Sequence, residues 1–105
     1  MLFIETPIFT KQVKELLPDE EYRQLQEALL MRPEAGKLIP GSGGLRKIRW
    51  RIRSTGKRGG LRIIYYWDTP EGTFFMLTAY KKSKQEDLTQ SQLKILRKLV
   101  EEWLK

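Results

Sequence analysis

A run of alternating cations, KIRWRIR at residues 47–53, offers the clearest chemistry in the sequence. In an extended strand, side chains two residues apart share a face and lie about 6.6 Å apart. Lys47, Arg49, Arg51 and Arg53 would therefore form a basic row that loosely matches the phosphate spacing of a nucleic-acid strand. Four like charges repel each other in the free protein, so the row indicates a polyanion-binding surface. The alternative is a solvated sheet face whose charges discourage edge pairing.

Arg62 is the second basic feature, because it interrupts the apolar segment LRIIYYW at residues 61–67. A cation in a central strand is costly unless a carboxylate pairs with it or it serves a site. One interpretation is a guanidinium that offers a planar fork to two phosphate oxygens. The other is a structural salt bridge with a carboxylate such as Glu27 or Glu86.

The segment YKKSK at residues 80–84 is the third basic feature, and it ends the last predicted strand. If the preceding strands form an antiparallel meander, this end lies beside the start of the neighbouring strand, close to Arg62. Tyr80 and Lys82 would then join the same basic surface. Lysines at a strand end are more often solvated surface, which is the alternative here.

The charge of the chain supports a polyanionic partner. The 105 residues carry a net charge of +7, and the sequence pI is about 9.8. No acidic residue occurs between Glu34 and Asp68, whereas this interval holds the basic row, Arg62 and several further cations. The positive field is therefore concentrated in the middle of the chain, which favours nucleic acid, an acidic protein or an anionic surface as a partner.

The residue types that are missing limit the chemistry. The sequence contains no cysteine and no histidine, which excludes a disulfide framework, a structural zinc site and a histidine general base. We expect no metal and no cofactor. Residues 1–7 lack the features of a signal peptide, and no segment approaches the roughly 20 apolar residues of a membrane span. We therefore expect a cytoplasmic protein without a membrane partner.

The elements that must position these residues follow from periodicity and breakers. The order is a strand at 2–5, a helix from Thr6-Pro7, a helix between Pro18 and Pro33, a loop at 33–44, strands at 45–53, 61–67 and 73–80, and a C-terminal helix with a capping box at Thr89 and Gln92. We predict an α+β fold of order β-α-α-β-β-β-α, in which helices pack on an antiparallel meander sheet. Residues 1–105 should form a single domain.

The segments GGLRKIR, GKRGGLRIIYY and LTAYKKSKQEDL, taken as a set, resemble the HigB branch of the RelE-like toxins of type II toxin–antitoxin systems. The similarity covers nearly the whole chain. It implies a RelE-like fold and a metal-independent endoribonuclease that cuts mRNA in the ribosomal A site and so inhibits translation. In that reaction the ribose 2′-OH attacks the adjacent phosphate and leaves a 2′,3′-cyclic phosphate and a 5′-OH end.

The resemblance also implies roles for individual residues. Arg62 matches the family's phosphate-binding arginine, Lys47 and Arg49 match its basic pair, and Lys82 matches the cation after the last strand. RelE has a tyrosine near the last helix where this chain has Asp87-Leu88, and some HigB proteins use histidines. The general base is therefore open between Tyr80 and a lysine whose pKa neighbouring cations lower. The expected RNA-binding cations are Arg46, Arg51, Arg53, Lys57, Arg58, Lys81 and Lys84.

The implied partners are the ribosome with its mRNA and a cognate antitoxin, expected to be a helix-turn-helix protein encoded by the adjacent gene. Through the antitoxin complex, operator DNA is a further expected partner. Two other functions fit the same fold: a ParE-like gyrase inhibitor and a non-enzymatic nucleic-acid-binding or co-repressor module. RNA cleavage needs Lys47, Arg49, Arg62 and Lys82 as a set, whereas gyrase binding does not.

Overall fold

The computed structural model describes residues 2–52, 60–70 and 72–104. In chain order the elements are β1 (Leu2–Glu5), α1 (Pro7–Leu16), α2 (Asp19–Met31), β2 (Lys37–Leu38), β3 (Arg46–Arg51), β4 (Gly60–Asp68), β5 (Thr73–Lys81) and α3 (Gln90–Leu104). This confirms the predicted α+β fold and the order of its main elements. Among the helices of these residues, none is long and apolar enough to cross a membrane.

Helices α1 and α3 begin where the sequence provides side-chain caps, whereas α2 begins after Pro18 without one. The Thr6 hydroxyl accepts a hydrogen bond from the Phe9 amide at 2.9 Å, with Pro7 in the first turn of α1. At the start of α3, the Gln92 amide donates to the Thr89 hydroxyl at 3.1 Å, and the Thr89 amide donates to Gln92 Oε1 at 2.8 Å. Both predicted caps are confirmed, and the second is a reciprocal capping box.

The five strands form one mixed sheet in the order β1-β5-β4-β3-β2. The meander of β3, β4 and β5 is antiparallel, as predicted, and β1 pairs in parallel with β5. The prediction of a loop over residues 33–44 was wrong at Lys37–Leu38, which pairs with β3. A strand of two residues is too short to show an alternating pattern, so periodicity could not reveal it.

Helices cover both faces of the sheet. Alternate residues of β4, such as Ile63 and Tyr65, pack under α1 and α2, while Ile64 packs under α3. The core under α1 and α2 includes Phe9, Val13, Leu17, Leu25, Leu29, Ile63, Tyr65, Phe74 and Met76. The core under α3 consists of Leu45, Ile64, Phe75, Leu77, Leu93, Leu96 and Val100. This explains why β4 and β5 are apolar at nearly every position.

An irregularity in β5 decides which face its C-terminal end presents. Tyr65 pairs with Met76, but Ile64 pairs with Thr78, so Leu77 is an additional residue on β5. Without this β-bulge, Tyr80 would alternate with Met76 and lie on the α1–α2 face. With the bulge it lies opposite Arg62, on the face covered by α3.

Candidate functional site: a basic cluster on the α3 face

The described part of the basic row, Lys47, Arg49 and Arg51, lies on the α3 face of the sheet. Lys47 pairs with Ile64 across β3 and β4, and Arg49 pairs with Arg62. Arg62 in turn pairs with Tyr80 across β4 and β5. Three neighbouring strands therefore bring together Lys47, Arg49, Arg62 and Tyr80, which we call the β3–β5 cluster. All four were candidate site residues in the sequence, although the set predicted for RNA cleavage had Lys82 where this cluster has Tyr80. The register places the four side by side.

Trp50 and Ile52 show that the alternation of β3 is real. Trp50 and Ile48 pack against the core beneath α1 and α2, and Ile52 is buried there. Arg49 and Arg51 are exposed on the other face. Because β2 pairs only with Arg46 and Lys47, the rest of β3 is a sheet edge within the described residues. The charges there also oppose edge pairing, so the alternative interpretation of the row applies alongside a binding role.

Arg62 is buried and forms no ion pair within the described residues. The residue is 5% exposed, and its Nε has no hydrogen-bond partner among the described residues. Glu27, one suggested partner, is bound to Arg23 at 2.7 Å, and no described carboxylate forms an ion pair with Arg62. A buried donor with no partner is costly. Within the described residues the structural salt-bridge interpretation of Arg62 therefore finds no support, and its Nε–H is left without an acceptor.

Asp87 brings a carboxylate to the cluster. Its Oδ1 lies 2.7 Å from Lys47 Nζ, although the two residues are separated by 40 positions in sequence. The hydrogen bond and charge of Lys47 hold the pKa of Asp87 below its ordinary value, and the charges of Arg62 and Arg49 act in the same direction. Asp87 is thus an ionised group placed among cations.

Tyr80 faces this arrangement with a buried hydroxyl, which has no hydrogen-bond partner in the described part of the chain. Burial raises the pKa of Tyr80, the charge of Asp87 raises it further, and Arg62 opposes them. A phenol with a raised pKa stays protonated at neutral pH. Tyr80 is therefore suited to donate a hydrogen bond to an anion and unsuited to act as a base.

A cleft of about 630 Å³ opens beside the cluster, between β2 and the start of α3. Its walls combine charged groups with apolar side chains. They are formed by Lys37, Leu38, Ile39, Pro40, Lys47, Ile64, Tyr80, Asp87, Leu88, Gln90 and Leu93. Three members of the site (Lys47, Tyr80 and Asp87) line it, so a molecule bound at the cluster can extend into the cleft.

The other candidate residues are distributed differently. Lys82 is exposed, and its amide donates to the Gly60 carbonyl at 3.2 Å, which places it beside the start of β4. Lys81 and Lys84 are exposed near it. Arg46 lies on the opposite face of β3 from Lys47 and donates to the Gly36 carbonyl at 2.8 Å. Its contacts stabilise the loop before β2 and lie outside the cluster.

Three predicted RNA-binding residues, Arg53, Lys57 and Arg58, lie outside the described residues. Across the described ranges, no group of three or more acidic, histidine or cysteine side chains could hold a metal ion.

Asp87 stands where RelE has a tyrosine and was not among the site residues predicted from the sequence. Its link to Lys47 depends on how the segment after β5 folds back over the sheet. Gln85 fixes that segment, because its Nε2 donates to the Asp87 carbonyl at 2.9 Å and to Gln92 Oε1 at 2.7 Å. The available signal was an acidic residue next to a capping box, after a basic segment, which is too common a pattern to single out.

Comparison with known proteins identifies the fold. No family model matches the sequence. The structure of E. coli toxin RelE, as a double arginine-to-alanine variant in the free state, is similar with a TM-score of 0.57 and 21% identity, over 81% of this chain and 86% of that one. A chain of the intact E. coli RelBE toxin–antitoxin complex is similar with a TM-score of 0.54 and 22% identity, over 76% of this chain and 94% of that one. The isolated E. coli RelE toxin is similar with a TM-score of 0.52 and 17% identity, over 93% of this chain and 97% of that one. The chain thus has the fold of the RelE toxin.

Proposed function

We propose that this protein is the toxin of a type II toxin–antitoxin system, of the HigB branch, and that it cleaves mRNA in the A site of the ribosome. The observation that carries the proposal is the buried guanidinium of Arg62, set among cations on the α3 face of a RelE fold, with no ion pair and no hydrogen-bond partner for its Nε among the described residues. An anionic ligand would supply the partner that such a buried cation needs. A phosphodiester fits because several further cations surround it.

The proposed chemistry uses the β3–β5 cluster. The transition state of 2′-OH attack carries additional negative charge on the phosphate oxygens. Arg62 offers two of them a planar fork, and the Tyr80 hydroxyl donates to the same group. Lys47 and Arg49 hold the flanking backbone, and the nucleoside next to the scissile phosphate extends into the cleft. The ribosome supplies the orientation of the mRNA.

The surrounding exposed cations, Arg51, Lys81 and Lys84, would contact the RNA backbone and promote docking. Lys82 would supply a proton to the leaving 5′-oxygen. An antitoxin partner is part of the proposal, since one of the similar structures is a toxin–antitoxin complex. We propose that the adjacent gene encodes it, and that the pair contacts operator DNA through the antitoxin.

Cleavage of mRNA on programmed ribosomes tests the function. The wild-type protein should cut in the A site and leave a 2′,3′-cyclic phosphate, and an mRNA with a 2′-deoxyribose at that position should remain intact. Arg62→Lys keeps the charge but loses the planar fork, so it should bind ribosomes and cut at least about 100-fold more slowly. Gyrase inhibition by the wild-type protein, with mRNA left intact, would contradict the proposal and favour the ParE-like alternative.

A further inference from the structure

The proposed cleavage needs a group that accepts the proton of the 2′-OH. Arg49 and Arg62 cannot serve, because a guanidinium stays protonated in proteins. Lys47 Nζ is occupied by its ion pair with the Asp87 carboxylate at 2.7 Å. Tyr80 is held in its neutral form by burial, which raises its pKa. The members of the β3–β5 cluster are thus all proton donors.

We propose that Asp87 is the general base of the cleavage reaction and a catalytic residue of the site. The inference rests on the function proposed above and deepens it. Asp87 lines the cleft together with Lys47 and Tyr80, and its side chain is 70% exposed, so an incoming ribose can reach the carboxylate. The cations of the cluster lower its pKa, so the base is unprotonated at neutral pH.

The backbone around Asp87 is anchored well enough for this role. Gln85 ties the Asp87 carbonyl to Gln92, and Gln92 belongs to the capping box of α3. The ion pair with Lys47 orients the carboxylate from the other side. A base must lie within hydrogen-bond reach of its proton, and two independent attachments limit where Asp87 can move.

In the cleavage step, the 2′-OH oxygen forms a bond to phosphorus while its proton passes to the Asp87 carboxylate. The bond between phosphorus and the 5′-oxygen breaks, and that oxygen takes a proton from the Lys82 ammonium. The products are a 2′,3′-cyclic phosphate, a 5′-OH, a neutral Asp87 and a neutral Lys82. Exchange of one proton between the two side chains through solvent restores the enzyme.

The test is single-turnover cleavage on saturated ribosomes, with Glu86→Gln as the matched control. Glu86 is the neighbouring exposed acid, so its variant removes the same charge one position away. Asp87→Asn and Asp87→Ala should cut about 10²–10⁴-fold more slowly than wild type, which is the usual contribution of a general base. Glu86→Gln should cut at nearly the wild-type rate. Thermal melts and ribosome binding are measured for every variant.

Chemical rescue separates a base from a positioning residue. At constant ionic strength, added formate or acetate should accelerate Asp87→Ala and leave Asp87→Asn slow, and acetate, the stronger base, should be more effective. A slow Asp87→Ala with no carboxylate rescue would mean that Asp87 only positions Lys47, and would overturn the proposal. So would an Asp87→Asn protein that cuts as fast as wild type or faster. Absence of cleavage by the wild-type protein would instead remove the proposed function itself.

Discussion

Replacing Arg62 by methionine should make the protein more stable and inactive. The side chain is 5% exposed, and its Nε has no partner among the described residues. Such an unsatisfied buried donor costs about 1–3 kcal/mol, and an apolar side chain of similar length removes this cost. Arg49 stands directly opposite, and a like-charge cross-strand pair is destabilising on the scale of about 0.2–1 kcal/mol.

The two contributions set the size of the effect. We expect Arg62→Met to raise the free energy of unfolding by about 1–3 kcal/mol. For a domain of this size, each kcal/mol moves the melting temperature by about 4–8 °C, so the shift should be at least about 4 °C upward. The same protein should lose at least about 100-fold in single-turnover cleavage, because the phosphate loses its main donor.

Thermal and urea melts of four proteins measure this: wild type, Arg62→Met, Arg49→Met and the double variant. Arg49 is exposed, so Arg49→Met relieves only the repulsion and should change stability by less than about 1 kcal/mol. The double-mutant cycle then isolates the repulsion between the two guanidinium groups. If Arg62→Met melts below wild type, Arg62 is a structural cation, and the argument from its burial fails.

Four further measurements test the loop before β2, the Tyr80 hydroxyl, the capping box of α3 and the basic row. Gly36→Ala should destabilise the protein by about 1–3 kcal/mol in urea melts, because a Cβ there would lie 2.7 Å from the Tyr65 ring. Tyr80→Phe should melt at or slightly above the wild-type temperature, since the hydroxyl is buried without a described partner, and should cut more slowly. Gln92→Ala removes both the capping-box acceptor and the Gln85 contact; it should lower stability by about 1 kcal/mol in melts and slow cleavage more than ribosome binding. Ribosome affinity should fall steeply with salt in binding titrations, and a flat response between low and physiological salt would show that the basic row does not contact phosphates.

Local signals predicted the helices and the meander well. The residues that make each cap are close in sequence: Thr6 is followed directly by Pro7, and Thr89 and Gln92 are three positions apart. The alternation of KIRWRIR placed the cations and the apolar side chains of β3 on opposite faces, as the structure has them. In both cases the information needed lies within a few neighbouring positions.

Pairings between distant segments could not be predicted in the same way. The parallel contact of β1 with β5 joins Phe3 to Phe74, and no short-range pattern in either strand specifies it. The strand at Lys37–Leu38 depends on the Tyr65 hydroxyl, which accepts from the Gly36 amide at 2.9 Å and donates to the Pro33 carbonyl at 2.8 Å. A buried tyrosine thus orders a segment whose Gly and Pro content predicted an irregular loop.

The site itself depends on a feature that periodicity conceals. Residues 73–80 are apolar or small almost throughout, so an inserted residue leaves no visible break in the pattern. Yet the bulge at Leu77 transfers Tyr80 from the α1–α2 face to the α3 face. Leu77 itself is fully buried under α3, so the additional residue still packs in the core. The alternation of the sequence was enough to place Lys47 and Arg49 on one face of β3, whereas one irregular position in β5 determines that Tyr80 joins them beside Arg62.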